Sequence, residues 1–458
     1  MAEIIRRSRP VSVNPLKSSA PLGAAMAFLG VERTMPLFHG SQGCTAFGMV
    51  LLVRHFKEAI PLQTTALTEI TAILGGMDNL EQAIQNLAKR AQPKLIGIAT
   101  TGLAETRGED FMGDLALIRR RNPDLANTAL VLASTPDMVG GLSEGWAKAV
   151  TALIEQVVEP GPRLRRKGRV AVLPGSHITA GDIDELTQLI EAFGLTPVVV
   201  PDLSRSLDGH VPGEWIQGSL GGTTLEELRT LGSAQVAIAL GSAMQAPAAA
   251  LERLTGVPYQ LFDRVTGLSA VDRLVSFLSD MAGVPAPPRV RRQRSQLLDA
   301  MLDGHFHFGG RQVALAGEGD LVWAVGRLLA DLGAGLGPVV VPTTLGQEYL
   351  AQLPCAEVLV SDLGELEDRA AGCDLIIGPS HARQASERTG IPLFRLGFPI
   401  FDRLGAAHVV TAGYRGTRDL IFRLANAFQE QDGEAFDTLH THAPREESDH
   451  GSAPASVG

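Results

Sequence analysis

Residues Gly168 to Pro201 read GRVAVLPGSHITAGDIDELTQLIEAFGLTPVVVP. A short aliphatic run comes first and turns at Gly175. Apolar residues then recur every three to four positions at Ile183, Leu186, Leu189 and Ile190. The pattern breaks at Gly194 and closes on PVVVP. That order predicts strand, loop, helix, strand: one βαβ unit. Gly310 to Pro342, GRQVALAGEGDLVWAVGRLLADLGAGLGPVVVP, repeats it almost step for step. KLIGIATTG (Lys94 to Gly102) is a fainter copy. CDLIIGPSH (Cys373 to His381), followed by ARQASERTG and IPLFRLG, supplies a further strand, helix and strand. The strand segments are continuously apolar rather than alternating. They are therefore buried on both faces, which predicts parallel sheets covered by helices. Several such units in one chain predict an α/β protein of three Rossmann-like domains, each a mostly parallel sheet flanked by helices.

Two stretches rich in proline, glycine and charge mark boundaries: EPGPRLRRKG (Glu159 to Gly168) and GVPAPPRVRRQR (Gly283 to Arg294). The expected domains are 1–164, 165–288 and 289–428, followed by a polar, flexible tail over 429–458. With 458 residues, 45% hydrophobic and 20% charged, the chain has the composition of a soluble globular protein. Its formal charge of -10 argues against a nucleic-acid partner. No apolar run reaches membrane-spanning length, and MAEIIRRSRP has no apolar stretch behind it, so no membrane partner is expected. Three cysteines in so long a chain make no disulfide framework, and a cytoplasmic location is expected.

Several familiar chemistries are missing. GEGD (Gly317 to Asp320) opens like a dinucleotide loop, but Val322 stands where the last glycine belongs, so a tight strand-to-helix turn is the plain reading. His305 and His307 would share a face on a strand, yet no third ligand is near. Cys355 and Cys373 have no partner at CxxC spacing and read as buried structural thiols. Cys44, in LFHGSQGCTAFG (Leu37 to Gly48), admits three readings: a structural thiol, a nucleophile with His39 upstream, or one ligand of a site needing several.

Four N-terminal motifs change that balance. NPLKSSAPLGA (Asn14 to Ala24), HGSQGC (His39 to Cys44), TTALTEITAILGGMDNL (Thr64 to Leu80) and IATTGLAETRGED (Ile98 to Asp110) occur in this order. PDLSRSLDG (Pro201 to Gly209), GGTTLEEL (Gly221 to Leu228) and GFPIFDRLGAAHVVTAGYRGT (Gly397 to Thr417) follow. Together they resemble the β-type subunits of the nitrogenase component 1 family, over nearly the whole chain short of the tail.

Catalytic β subunits of that family carry three cysteines for an eight-iron cluster. Here the first position is Ser19 and the third is Gly102; only Cys44 remains. Serine is a poor ligand for iron–sulfur chemistry and glycine offers none. A [4Fe–4S] cluster takes four thiolates. The resemblance implies that an α-type partner supplies three and Cys44 the fourth, at the subunit interface. It thus implies the cofactor-assembly branch: a scaffold subunit on which the iron–molybdenum cofactor precursor matures. The precursor would be held mainly by the partner, two pairs would form an α2β2 tetramer, and an iron protein would deliver electrons transiently. No activity is expected of the chain alone. Alternatives are a catalytic nitrogenase β subunit, a subunit of light-independent protochlorophyllide reductase, and an interaction subunit holding no cluster.

Gly40 and Gly43 are expected to let the backbone turn sharply and approach the cluster. A helix starting after Cys44 would aim its N–H groups at the metal site. By resemblance, Ile73, Leu74, Gly75 and Gly76 form part of the iron-protein docking surface. A plain helix end capped by glycine, with Leu74 buried, is the competing reading.

Overall fold

The computed structural model describes residues 2–6, 12, 14–106, 108, 110–211, 213 and 216–440. The side chains of Ala72, Leu74 and residues 432–440 lie outside the described set, as does the called tail from 441 onward. Every strand ladder is parallel. The first sheet has the order β3-β2-β4-β5, with β2 Thr34–His39, β3 Gln63–Thr64, β4 Leu95–Thr100 and β5 Ala129–Ala133. The second has the order β7-β6-β8-β9, with β6 Arg169–Pro174, β7 Thr196–Val199, β8 Val236–Leu240 and β9 Tyr259–Phe262. The third has the order β1-β12-β11-β10-β13-β14: β1 Glu3–Arg6, β10 Gln312–Ala316, β11 Gly335–Val341, β12 Glu357–Val360, β13 Leu375–Gly378 and β14 Leu393–Arg395.

The two repeats form as read. β6, the helix Ala180–Glu191 and β7 make one unit; β10, the helix Gly319–Asp331 and β11 make the other. One strand departs from the sequence expectation. β1 does not join the first sheet but pairs with β12, Glu3 opposite Glu357. His305 and His307 also differ. They lie on the helix Pro288–Phe308, where a separation of two puts them on different faces, not on a strand. The last helix, Gly413–His440, runs past residue 429.

The three sheets are tied together by buried polar contacts. Asp182, from the second unit, accepts the N–H groups of Thr411 at 2.6 Å and Ala412 at 2.7 Å. Asp320, from the third, accepts from the Ser242 N–H and hydroxyl at 2.8 and 2.6 Å. Ser143 donates to Glu318 at 2.6 Å and meets Ser176 at 2.8 Å, so all three units converge at one point.

The helix α1, Ala20–Leu29, is buried along its whole length. It lies against the helix Leu142–Val157 through backbone contact: a Cβ at Gly23 would collide with the Leu142 carbonyl, and one at Gly145 with the Ala20 carbonyl. Those glycines fix where α1 begins, and Ser19 is its N-cap. Among the described residues, no helix is long and apolar enough to cross a membrane.

Candidate functional site

β2 carries the chain into HGSQGC, and the helix α2, Gln42–Phe56, starts directly behind it. Ser41 is the N-cap, in extended conformation, so Cys44 sits inside the first turn. The helix therefore begins two residues ahead of Cys44 rather than after it. The physical consequence is unchanged: a thiol in a first helical turn lies among free N–H groups and the positive end of the helix dipole. The Ser41 hydroxyl donates to the Cys44 sulfur at 3.4 Å, and the thiol is exposed.

The two glycines do different things. Neither Gly40 nor Gly43 has positive φ. Gly40 is required because a Cβ would run into the Thr101 side chain. Gly43 has only the Ser41 hydroxyl within 4.0 Å of a built Cβ, which leaves open space beside the thiol.

A cavity of about 250 Å³ opens at Cys44, and Ser19, Lys17, Phe47, Thr101 and Asp137 line it as well. The first and second motif positions, Ser19 and Cys44, thus face one cavity. The third, Gly102, does not line it but follows the lining residue Thr101: it opens the short helix α5, Gly102–Glu105, and its N–H is held by the Asp137 carboxylate at 3.0 Å. Neither Ser19 nor Ser41 caps its helix with its side chain, so the first N–H groups of α2 carry no side-chain cap, and α1, with Pro21 in its first turn, offers only those of Ala20 and Leu22. Two helix N-termini, an accessible sulfur and room at Gly43 suit an anionic metal–sulfur group. They do not suffice for one: among the described residues, no three His, Cys, Asp or Glu side chains form a metal-binding group. Asp137 and Lys17 were not found from sequence. Asp137 sits in STPDMVGG, which reads only as a turn.

His39 does not serve Cys44 as a base. Its ring is buried, meets the Thr65 hydroxyl at 3.1 Å and stands edge-on to Phe111. Burial pushes its pKa down to about 4, against a smaller opposing pull from Glu105. Cys355 and Cys373 are half-buried, and burial raises both thiols.

The segment behind β3 straps the cysteine loop. Thr65 donates its N–H to Phe38 at 3.0 Å, the Gly40 N–H donates to the Thr65 hydroxyl at 3.1 Å, and the Leu67 N–H donates to Gly40 at 2.8 Å. The helices α3, Glu69–Leu74, and α4, Met77–Arg90, follow, joined by Gly75 at φ 121° and Gly76. The expected docking set divides. Ile73 is 72% exposed, whereas Gly76 is buried: a Cβ there would sit 2.9 Å from the His39 ring and 3.3 Å from Leu67. Gly76 is a packing position because the strap folds the turn down onto His39. Gly75 is half-buried, and the Leu74 side chain lies outside the described residues. Ile70, 69% exposed and one helical turn from Ile73, is an addition that its spacing signals.

Comparison with known proteins follows this geometry. The family described as nitrogenase component 1 type oxidoreductase matches residues 19–429. The chain is 53% identical to the nitrogenase iron-molybdenum cofactor biosynthesis protein NifN of Mesorhizobium japonicum, over 98% of this chain and 95% of that protein. It is 52% identical to the protein of the same name from Sinorhizobium fredii, over 94% of this chain and 96% of that one. A solved structure described as nitrogenase Cp1 at pH 6.5 superimposes with a TM-score of 0.88 at 29% identity, covering 97% of each chain. The fold, the motif positions gathered at Cys44 and these likenesses agree: the chain belongs to the nitrogenase component 1 family.

Proposed function

We propose that this chain is the β-like subunit of a scaffold for nitrogenase iron–molybdenum cofactor biosynthesis, the process that the names of its NifN relatives carry. Its three-unit fold positions one thiolate for a [4Fe–4S] cluster shared with a NifE-like α-type partner. The observation that supports this is the cavity: one exposed sulfur, Cys44, with Ser19 where a second would stand, and Gly102 next to the lining residues Thr101 and Asp137 where a third would. One sulfur cannot hold a cluster that needs four ligands, so the partner supplies the others. Phe47, 67% exposed on the cavity wall, and Val50, one turn further along α2, give the partner an apolar surface to cover.

In this reading the precursor is held mainly by the partner, two such pairs form an α2β2 tetramer, and an iron protein docks transiently on Ile70, Ile73 and the Gly75 turn. The strap from Thr65 to Leu67 joins that surface to the Cys44 loop. The chain's own task is to ligate, to orient and to exclude water. A shared cluster would supply electron transfer when bound. The test is co-expression with the partner, followed by iron quantitation and EPR of wild type against Cys44→Ala. Loss of a reducible four-iron signal is expected; an unchanged iron content and spectrum would remove Cys44 from the site.

A further inference from the structure

Two charged side chains in the Cys44 cavity, Lys17 and Asp137, have no part in that reading, and Asp137 is the one that meets Gly102. Asp137 lies in the loop between β5 and the helix Leu142–Val157, and it lines the cavity together with Cys44, Ser19 and Thr101. Its Oδ2 accepts the Gly102 N–H at 3.0 Å. A Cβ built at Gly102 stands 3.5 Å from that same oxygen and 3.8 Å from the Asp137 Cβ, so any side chain at 102 starts against the carboxylate.

We propose that Asp137 sets the size of the cluster this chain can share. It reserves the Gly102 side of the cavity for a carboxylate and confines metal to the Cys44 side. The inference rests on the shared-cluster reading and sharpens it. Cluster sulfurs and thiolates are anionic, and a carboxylate in a partly enclosed site repels them over several ångströms. Asp137 also takes up the Gly102 N–H, which would otherwise be free to donate to a sulfur. A thiol placed at 102 would meet a like charge at once, which disfavours the thiolate that metal binding needs. The missing thiols at 19 and 102 are then only half of the restriction. Restoring them does not enlarge the site while Asp137 remains.

The test uses the intact complex with the α-type partner. The Ser19→Cys, Gly102→Cys pair is compared with the same pair carrying Asp137→Ala, by iron per complex and EPR. The pair alone should keep the wild-type iron content, and adding Asp137→Ala should raise it towards about twofold. Equal iron in the two overturns the proposal, whether raised or not. The single variant Asp137→Asn adds a measurement that needs no new cysteine. The cluster's reduction potential should become more positive as a negative charge leaves, and an unchanged potential overturns the proposal. Absence of iron in the wild type, or iron that persists in Cys44→Ala, would instead remove the shared-cluster reading and this inference with it. Normal Cys44-dependent iron alongside either failure leaves that reading standing and removes only the role of Asp137.

Discussion

Replacing Asp182 by alanine should loosen the joint between the second and third units without touching the Cys44 cavity. The carboxylate is buried and accepts N–H groups from Thr411 at 2.6 Å, Ala412 at 2.7 Å and Thr179 at 3.2 Å. Truncation leaves those donors without their acceptor. Each buried unsatisfied group costs about 1–3 kcal/mol. Thr179 stands at a helix start and is only half-buried, so water offsets part of its loss. Burial also raises the pKa of Asp182, which shows that the carboxylate itself is held at a desolvation cost that the variant escapes. The net destabilisation is about 3 kcal/mol. Hydrogen exchange reads this locally. The amides of Thr411 and Ala412 should exchange on the order of 100-fold faster, since each 1.4 kcal/mol is tenfold. Cys44-dependent iron should remain. Unchanged exchange at those two amides would refute the reasoning.

Glu318 gives the pH dependence. Burial pushes its carboxyl up to about 7 from 4.5, with Ser143 hydrogen bonding opposing the shift. The folded state therefore holds the proton more tightly than the unfolded one. The contribution is fully present below about 4.5 and is lost as pH rises through about 7, with a size of roughly 3 kcal/mol. Glu318→Gln should flatten the stability profile over that window, measured by denaturant midpoints; an unaltered slope contradicts the assignment. The Ile70→Asp, Ile73→Asp pair should weaken iron-protein association at least tenfold in a binding assay while iron content stays at the wild-type level. Gly76→Val should destabilise by about 1–3 kcal/mol through collision with the His39 ring, seen as a lower melting temperature.

The fold was legible where local pattern and burial agree. Gly168 to Pro201 and Gly310 to Pro342 each announced strand, helix and strand, because parallel strands buried on both faces carry no polar alternation to obscure them. β1 was not legible. Four residues of strand have no local signature of which sheet they will join, and its partner β12 is far away in sequence. Whether His305 and His307 share a face was not legible, because two residues cannot distinguish periods of two and 3.6; the helix Pro288–Phe308 decides it.

In the cavity, Cys44 was singled out by counting the thiols absent at 19 and 102, whereas Asp137 was invisible: its contact is with Gly102, thirty-five positions away. Gly76 was placed on the docking surface by resemblance alone; only the fold shows that the space of its absent side chain is filled by His39.

The pairing of β1 with β12 bears on how the protein is made. Glu3 and Glu357 lie 357 − 3 = 354 positions apart. At roughly 5–20 residues per second, Ile4 and Ile5 wait on the order of tens of seconds after synthesis before their seat exists. During that interval an aliphatic segment is free to pair elsewhere. Until it docks, the β12 edge presents unpaired backbone groups to any other chain. A purification handle fused ahead of Glu3 would press on that edge, so expression trouble with such fusions would originate in the pairing of β1 with the third sheet.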